Sequence, residues 1–328
     1  MPKHHRPDHV PITRGDYVER PPRDWAKYND ELRDRPRKVT EFLVDAAAVA
    51  SWRTHSGRRG QPAYSDGAIG ACYMLRALFH LSLRATEGTA RMILEAAGLD
   101  PELAPDYSTL SKSRCRVRLR RGRASSPVAL IDGTGISLAT HGPWVQHKWR
   151  GDQLAEHRFV RVTLVTDAAT GAVVTCVVTR DGGEGTGEVS QFEYLVEAAA
   201  QQGATTIIGD GAYDTHDCYV HAAARGVRLI APPRINAAYG LHPERDVTLA
   251  QIGMHTLSEW KRRVQYHQRS RVESDIGALK ASFGDRTRAR TFEGCRADIL
   301  ARASVTNLWR LGAEALEEFE ELREPVAA

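Results

Sequence analysis

The run VRVTLVTDAATGAVVTCVVT, residues 160–179, decides how this chain is read. Two β-branched, apolar stretches, VRVTLVT (160–166) and AVVTCVVT (172–179), flank a turn-like DAATGA, a pattern that predicts an antiparallel hairpin. Upstream, VALID (128–132) reads as a preceding strand. Downstream, TTIIGD (205–210) and VRLIAPP (227–233) read as two more. Helical stretches separate these later strands: VSQFEYLVEAAAQQG before the fourth and THDCYVHAAARG before the fifth. A long helix is predicted from about Leu257 to Phe283.

The resulting order, β-β-β-α-β-α-β and then a helix, predicts an α/β fold. Three antiparallel strands followed by crossover helices and parallel strands is the topology of a ribonuclease-H-like domain with a mixed five-stranded sheet, expected over residues 124–312. The text before it is helical. A pattern from Trp25 to Trp52 is broken at Pro36, and SGRRGQP (56–62) reads as a linker. Ile69, Cys72, Leu75, Leu78 and Phe79 then recur at spacings that mark one helix face, and a second helix runs from Thr86 to Gly98. Ser108 is a suitable N-cap for a third helix, STLSKSRCRVRLRR. These helices predict a helix-turn-helix-like, DNA-binding N-terminal domain over 24–123. A flexible basic arm is expected at 1–23 and an acidic end at 313–328.

Net charge is +4 over 328 residues, too little to name a partner, but its distribution is uneven. RCRVRLRRGR (114–123) holds six arginines, and 314–324 holds six glutamates. Arg114, Arg116, Arg118, Arg120 and Arg121 are candidate phosphate contacts, although a solvated helix face would carry the same residues. The five cysteines lie far apart, with no CxxC pair or Cys/His zinc spacing, which argues against a disulfide framework and a structural zinc. No stretch reads as a secretory signal or membrane span, so a cytoplasmic setting is expected.

Three carboxylates stand out by position. Asp132 closes the first strand, Asp210 closes the fourth, and Glu273 lies in the long helix, in YHQRSRVESDIGALK. The first and fourth strands are neighbours in the expected sheet, so both aspartates fall at one edge, within reach of a helix packed across it. Converging carboxylates repel unless a cation lies among them, and hard oxygen donors suit Mg²⁺ or Mn²⁺. Aspartates after strands also cap turns, so neither is diagnostic alone. Tyr266, Arg269, Glu273 and Lys280 fall within a ~60° arc at ~100° per residue on a continuous helix. Such a stripe suits a metal and phosphates, and it equally suits an exposed helix with i, i+4 ion pairs. Gly277 costs that helix roughly 1 kcal/mol against Ala. The thirteen histidines show no HExxH motif, and Tyr213 beside Asp210 reads as packing rather than as a nucleophile.

The spacing of Tyr266, Arg269, Glu273 and Lys280 is similar to the YREK signature of DDE transposases from bacterial insertion sequences. GDGAYD around Asp210 and IDGTG around Asp132 resemble that family's other two acidic motifs, and AAARGVRLIAPPRINA resembles the text of the group containing insertion-sequence families four and five. The segments YSDGAIGACYMLRALFHLSLRATEG and DYSTLSKSR are similar to the N-terminal domain often joined to these enzymes. The resemblance spans roughly 24–312. It implies a triad of Asp132, Asp210 and Glu273 holding two Mg²⁺ ions, with Mn²⁺ as a substitute. Tyr266, Arg269 and Lys280 would contact the element's end. The partners implied are terminal inverted repeats and target DNA, bound by a homodimer or higher multimer in the bacterial nucleoid. Two alternatives stay open: a ribonuclease-H-like nuclease that never joins ends, and a transposase-derived DNA-binding protein without chemistry.

Overall fold

The strands are β1 (Arg120–Arg121), β2 (Val128–Leu138), β3 (Phe159–Asp167), β4 (Val173–Arg180), β5 (Thr206–Ile208), β6 (Arg228–Ile230), β7 (Arg286–Thr287) and β8 (Glu317–Glu318). They belong to a computed structural model that describes residues 24–53, 63–138, 159–180, 187–234, 236–289 and 291–318. The expected arm at 1–23, the linker, most of the Trp-containing stretch after the first strand, with its His141, His147 and His157, and the acidic residues after 318 lie outside the described residues. The chain divides into two units, Met1–Arg35 and Pro36–Ala328. In the first, an exposed Arg33–Asp30 ion pair at 3.1 Å and a Trp25–Tyr28 edge contact lie on helix α1 (Trp25–Leu43). Pro36 sits inside α1 rather than interrupting it.

In the second unit the sheet order is β4-β3-β2-β5-β6, with β7 paired to the far end of β2. The 160–179 hairpin forms as expected: β3 runs antiparallel to both β2 and β4, with the turn at Asp167–Ala172. Asp167 organises that turn by accepting from the amides of Ser125, Ser126, Ala169 and Thr170. Strands β5 and β6 are parallel to β2. Parallel strands need crossovers, and helices α6 (Phe192–Gln201) and α7 (His216–Ala223) supply them.

Side chains alternate across a strand, so β2 feeds two cores. Leu130 and Ile136 join a cluster containing Val272, Ile276 and Leu279, while Ala129 and Ile131 join one containing Phe192, Leu195 and Tyr213. The helical region before β1 contributes α2 (Ala46–Ala50), α3 (Asp66–Leu78), α4 (Leu83–Ala96) and α5 (Tyr107–Lys112). Its Ile69, Met74, Leu75 and Leu110 share the first cluster with the sheet. Helix α11 (Phe292–Leu311), buried along nearly its whole length, packs against α3, and Asp298 receives Arg76 at 2.7 Å and Arg302 at 2.8 Å. The helical region and the sheet therefore share one hydrophobic cluster.

Two expected helices are shorter than their patterns implied. The basic helix from Ser108 ends at Lys112, gives a 3₁₀ turn at Arg114–Arg116, and becomes extended at β1. Val117 and Leu119 are buried while Arg118 and Arg120 are not, the two-residue alternation of an extended segment. The long helix at 257–283 is three pieces: α9 (Leu257–Arg263), a 3₁₀ turn at Tyr266–Arg269, and α10 (Ser270–Phe283). The break falls at Gln265, whose φ of 54° is left-handed and incompatible with a continuing right-handed helix. Helix α8 (Pro243–Met254) precedes it.

Candidate functional site

Asp132 stands in the middle of β2, opposite Leu164 of β3, rather than at the strand's end. It has the parity of Leu130 and Ile136, so it belongs to the face against which α10 packs. Leu130 pairs with Ile208 of β5, and two residues further along each strand come Asp132 and Asp210. β2 continues beyond its short neighbour, and the chain leaves β5 at Gly209. Asp210 caps the 3₁₀ turn Gly211–Tyr213, its carboxylate accepting from Ala212 N at 2.8 Å. Glu273 sits in the first turn of α10 and is the most exposed of the three.

One cation joins two of them. The Arg269 guanidinium donates to Asp132 Oδ1 at 3.1 Å and to Glu273 Oε1 at 2.5 Å, while its buried Nε has no partner among the described residues. Burial pushes the Asp132 carboxyl above the ordinary range; Arg269 and the Gly133 amide act against this, and the charges of Asp210 and Glu273 add to it. Burial disfavours the Arg269 charge, but Asp132, Tyr266 and Glu273 outweigh it and hold the guanidinium above its usual value. The two aspartates and the glutamate thus lie within one another's fields, although far apart in sequence.

Tyr266 lies beside this group. Its ring is 6.3 Å from that of Trp260, with Lys261 Nζ 5.2 Å from its centre, and burial pushes its phenol up to about 12. Lys280, in the last turn of α10, is partly exposed and forms no ion pair among the described residues. The stripe expected on one helix is instead assembled from a 3₁₀ turn and the helix that follows it.

The N-terminal arginines divide by what they touch. Arg121 is only 7% exposed, so it has little surface to offer DNA. Arg116 is engaged by the Asp66 carboxylate and by Tyr64 O at 2.7 Å, and Arg120 stacks on the Phe42 ring at 5.0 Å. Arg114 and Arg118 are partly exposed and donate to the nearby carbonyls of Ser111 and Cys115.

Glu188, which carries no motif, was not legible in the sequence as part of the site. Burial raises its carboxyl above the ordinary range, Arg161 opposes this, and Asp210 and Asp132 add to it. The sequence sign of its approach is Gly133, next to Asp132, where any side chain would collide with it.

Hard carboxylate oxygens in one another's fields, already gathered round a positive charge, have the donor chemistry of a divalent-cation site. Among the described residues, however, no group of three His, Cys, Asp or Glu is arranged to hold a metal ion. Two of the expected donors each bind the Arg269 guanidinium instead. All five cysteines are free, and no described helix is long and apolar enough to cross a membrane.

The sheet order, Asp132 on β2, Asp210 just beyond the neighbouring parallel β5 and the Glu273-bearing helix packed across the sheet define an α/β protein of the ribonuclease-H-like, DDE class. The chain belongs to the transposase DDE domain family, which matches residues 123–308; a second family, also described as a transposase DDE domain, matches 36–141. Among solved structures, the chain is similar to that described as "Drosophila P element transposase strand transfer complex", at 14% identity and a TM-score of 0.25. The match covers 62% of this chain and 47% of that one, so the chain spans about half the length of that transposase. A likeness this distant carries no argument about the site.

Proposed function

We propose that this protein is a DNA transposase of the bacterial insertion-sequence group with the YREK signature. It binds an element's terminal inverted repeats, hydrolyses the phosphodiesters at the ends, and joins the freed 3′-hydroxyls to target DNA by transesterification. The observation that carries this reading is the Arg269 bridge between Asp132 and Glu273, with Asp210 just beyond the end of the neighbouring strand.

Asp132, Asp210 and Glu273 would hold two Mg²⁺ ions, with Mn²⁺ as a substitute, and the ions' contribution is to activate the attacking oxygen and stabilise the leaving one. The carboxylates would keep the reacting phosphate between the face of the sheet and α10. Arg269 exchanges its carboxylate partners for a phosphate of the element's end, which its planar fork fits equally well. Tyr266 and Lys280 contact the same end, and Arg114 and Arg118 add backbone contacts from the helical region. Action on paired ends requires a homodimer or higher multimer, and the proposed setting is the bacterial nucleoid.

A second reading, DNA binding without chemistry, has one observation in its favour: Asp132 and Glu273 are both engaged by Arg269, and no group of three acids among the described residues is arranged to hold a metal. The test incubates the chain, wild type and Glu273→Gln, with duplexes carrying the repeats that flank its gene, in Mg²⁺. Nicking at the repeat boundary by wild type alone supports the transposase. Binding without nicking by either chain supports the second reading.

A further inference from the structure

We infer that Asp214 and Arg245 are a positioning pair for the proposed end joining: their buried fork holds the turn that presents Asp210. The inference rests on the transposase function proposed above.

The turn that leaves β5 is flanked by a carboxylate at each end. Asp210 opens it, accepting from Ala212 N, and Asp214 closes it. Their surroundings differ, for Asp210 is partly exposed while the Asp214 side chain is wholly buried. The Arg245 guanidinium grips Asp214 with two prongs, Nε to Oδ1 at 2.7 Å and Nη2 to Oδ2 at 3.1 Å, and is itself nearly buried. Tyr219 Oη donates to Oδ1 at 3.4 Å and Arg234 N to Oδ2 at 3.2 Å. A carboxylate accepts about four hydrogen bonds, so the acceptor capacity of Asp214 is used up inside the protein. Despite its closeness to Asp210 in sequence, it has none left for a cation.

Those donors come from different parts of the fold. Tyr219 is on α7, Arg234 follows β6, and Arg245 is on α8, where its Nη1 also donates to Ala238 O at 2.7 Å. The His242 ring, which caps α8, stacks on that of Tyr219 at 5.4 Å. α8 leads through α9 to the turn that carries Tyr266 and Arg269. One ion pair therefore ties the Asp210 turn to the segment that brings Arg269 and Glu273 back to the sheet. Gly211 completes the seat: a Cβ there would stand 3.2 Å from Pro232 O, so the turn lies close against the exit of β6.

Stability alone is a poor account of such a pair. Apolar residues of similar volume in place of a buried ion pair are often neutral or stabilising, whereas the fork's directional bonds define one geometry. β5 holds only three residues and stops short of Asp210, so the turn, not the sheet ladder, sets that carboxylate's place. A reacting group misplaced by about 1 Å can cost about 10²-fold in rate.

The test compares wild type, Arg245→Lys and the double variant Asp214→Asn with Arg245→Met, each as the full chain. Three quantities are read: the thermal midpoint, the affinity for a duplex carrying the repeat that flanks its gene, and the rate at which saturating protein joins that duplex, precut, to supercoiled target in Mg²⁺. The double variant leaves no charge buried alone, so it should melt near wild type, yet join about 10- to 100-fold more slowly at unchanged affinity. Arg245→Lys keeps the charge without the fork and should show the same split between rate and affinity. If either variant, folded, joins at the wild-type rate, the pair serves stability only and the inference fails. It fails as well if joining falls only as far as the folded fraction or the affinity does. If wild type itself joins no ends, the transposase reading has failed and this inference with it.

Discussion

Arg269 donates to Asp132 Oδ1 at 3.1 Å, so the turn that ends at Arg269 is tied to the central strand through the first of the three expected metal-holding carboxylates. The same guanidinium reaches Glu273, making it the chain's own counter-ion for two acids. Arg269→Ala should destabilise the DNA-free chain by about 1–3 kcal/mol. That is below the ~3–5 kcal/mol of a fully buried pair, because Glu273 is half exposed. Chemical denaturation without metal measures this, and added Mg²⁺ should raise the variant's thermal midpoint more than wild type's. Equal stability of the two chains would show that the bridge holds nothing.

Glu188 gives a pH dependence of definite sign. Its carboxyl is held above the ordinary range in the folded chain, chiefly by burial. The folded state therefore keeps its proton to higher pH than the unfolded state does, and stability is lost as pH rises from the ordinary carboxylate pKa through the raised one. Glu188→Gln lacks that loss. Without metal the variant should melt above wild type at neutral pH, and the gap should close as pH falls below the ordinary carboxylate value. A gap that widens on acidification would contradict the assignment.

Asp298 anchors the helical region to the rest of the fold. Its two oxygens take Arg76 from α3 and Arg302 from its own helix, and all three side chains are nearly buried. Asp298→Ala leaves two guanidinium groups without their anion and should cost about 3–5 kcal/mol, read from urea denaturation. Both regions should lose structure in one transition, since they share a core.

Asp106 caps α5, accepting from Ser108 N at 2.8 Å and Thr109 N at 2.9 Å, and from both hydroxyls. Those hydrogen bonds hold its carboxyl well below the ordinary range. Its contribution is therefore present above the ordinary carboxylate pKa and is lost as pH falls. Asp106→Ala should cost ~1–2 kcal/mol at pH 7, with the difference from wild type shrinking in acid. A difference independent of pH would point to lost packing instead.

The fold was legible because β2 to β6 each combine β-branched residues with a turn or helix signal, and because the 160–179 hairpin fixes which strands are antiparallel. Asp132 and Asp210 were legible from their places in or after strands that the parallel register makes neighbours. The helix expected through 108–121 was not continuous, because alternation at 117–121 buries Val117, Leu119 and Arg121 in an extended segment, whereas a run of arginines reads as an exposed helix. The helix expected at 257–283 failed at Gln265, a residue with no compositional mark of a break. Glu188 was hidden for another reason. Its carboxylate lies against the backbone of Gly133, and no local pattern encodes that approach.

The central claim is that this chain joins DNA ends, and joining of a precut end tests it most directly. A duplex bearing the element's terminal repeat with an exposed 3′-hydroxyl is mixed with supercoiled target and Mg²⁺, for wild type and Asp132→Asn. The account predicts covalent joining to the target by wild type, with loss of ~10³-fold or more in the variant, as expected when a transition-state charge stabiliser is removed. Repeat binding or nicking by wild type without any joined product would contradict it.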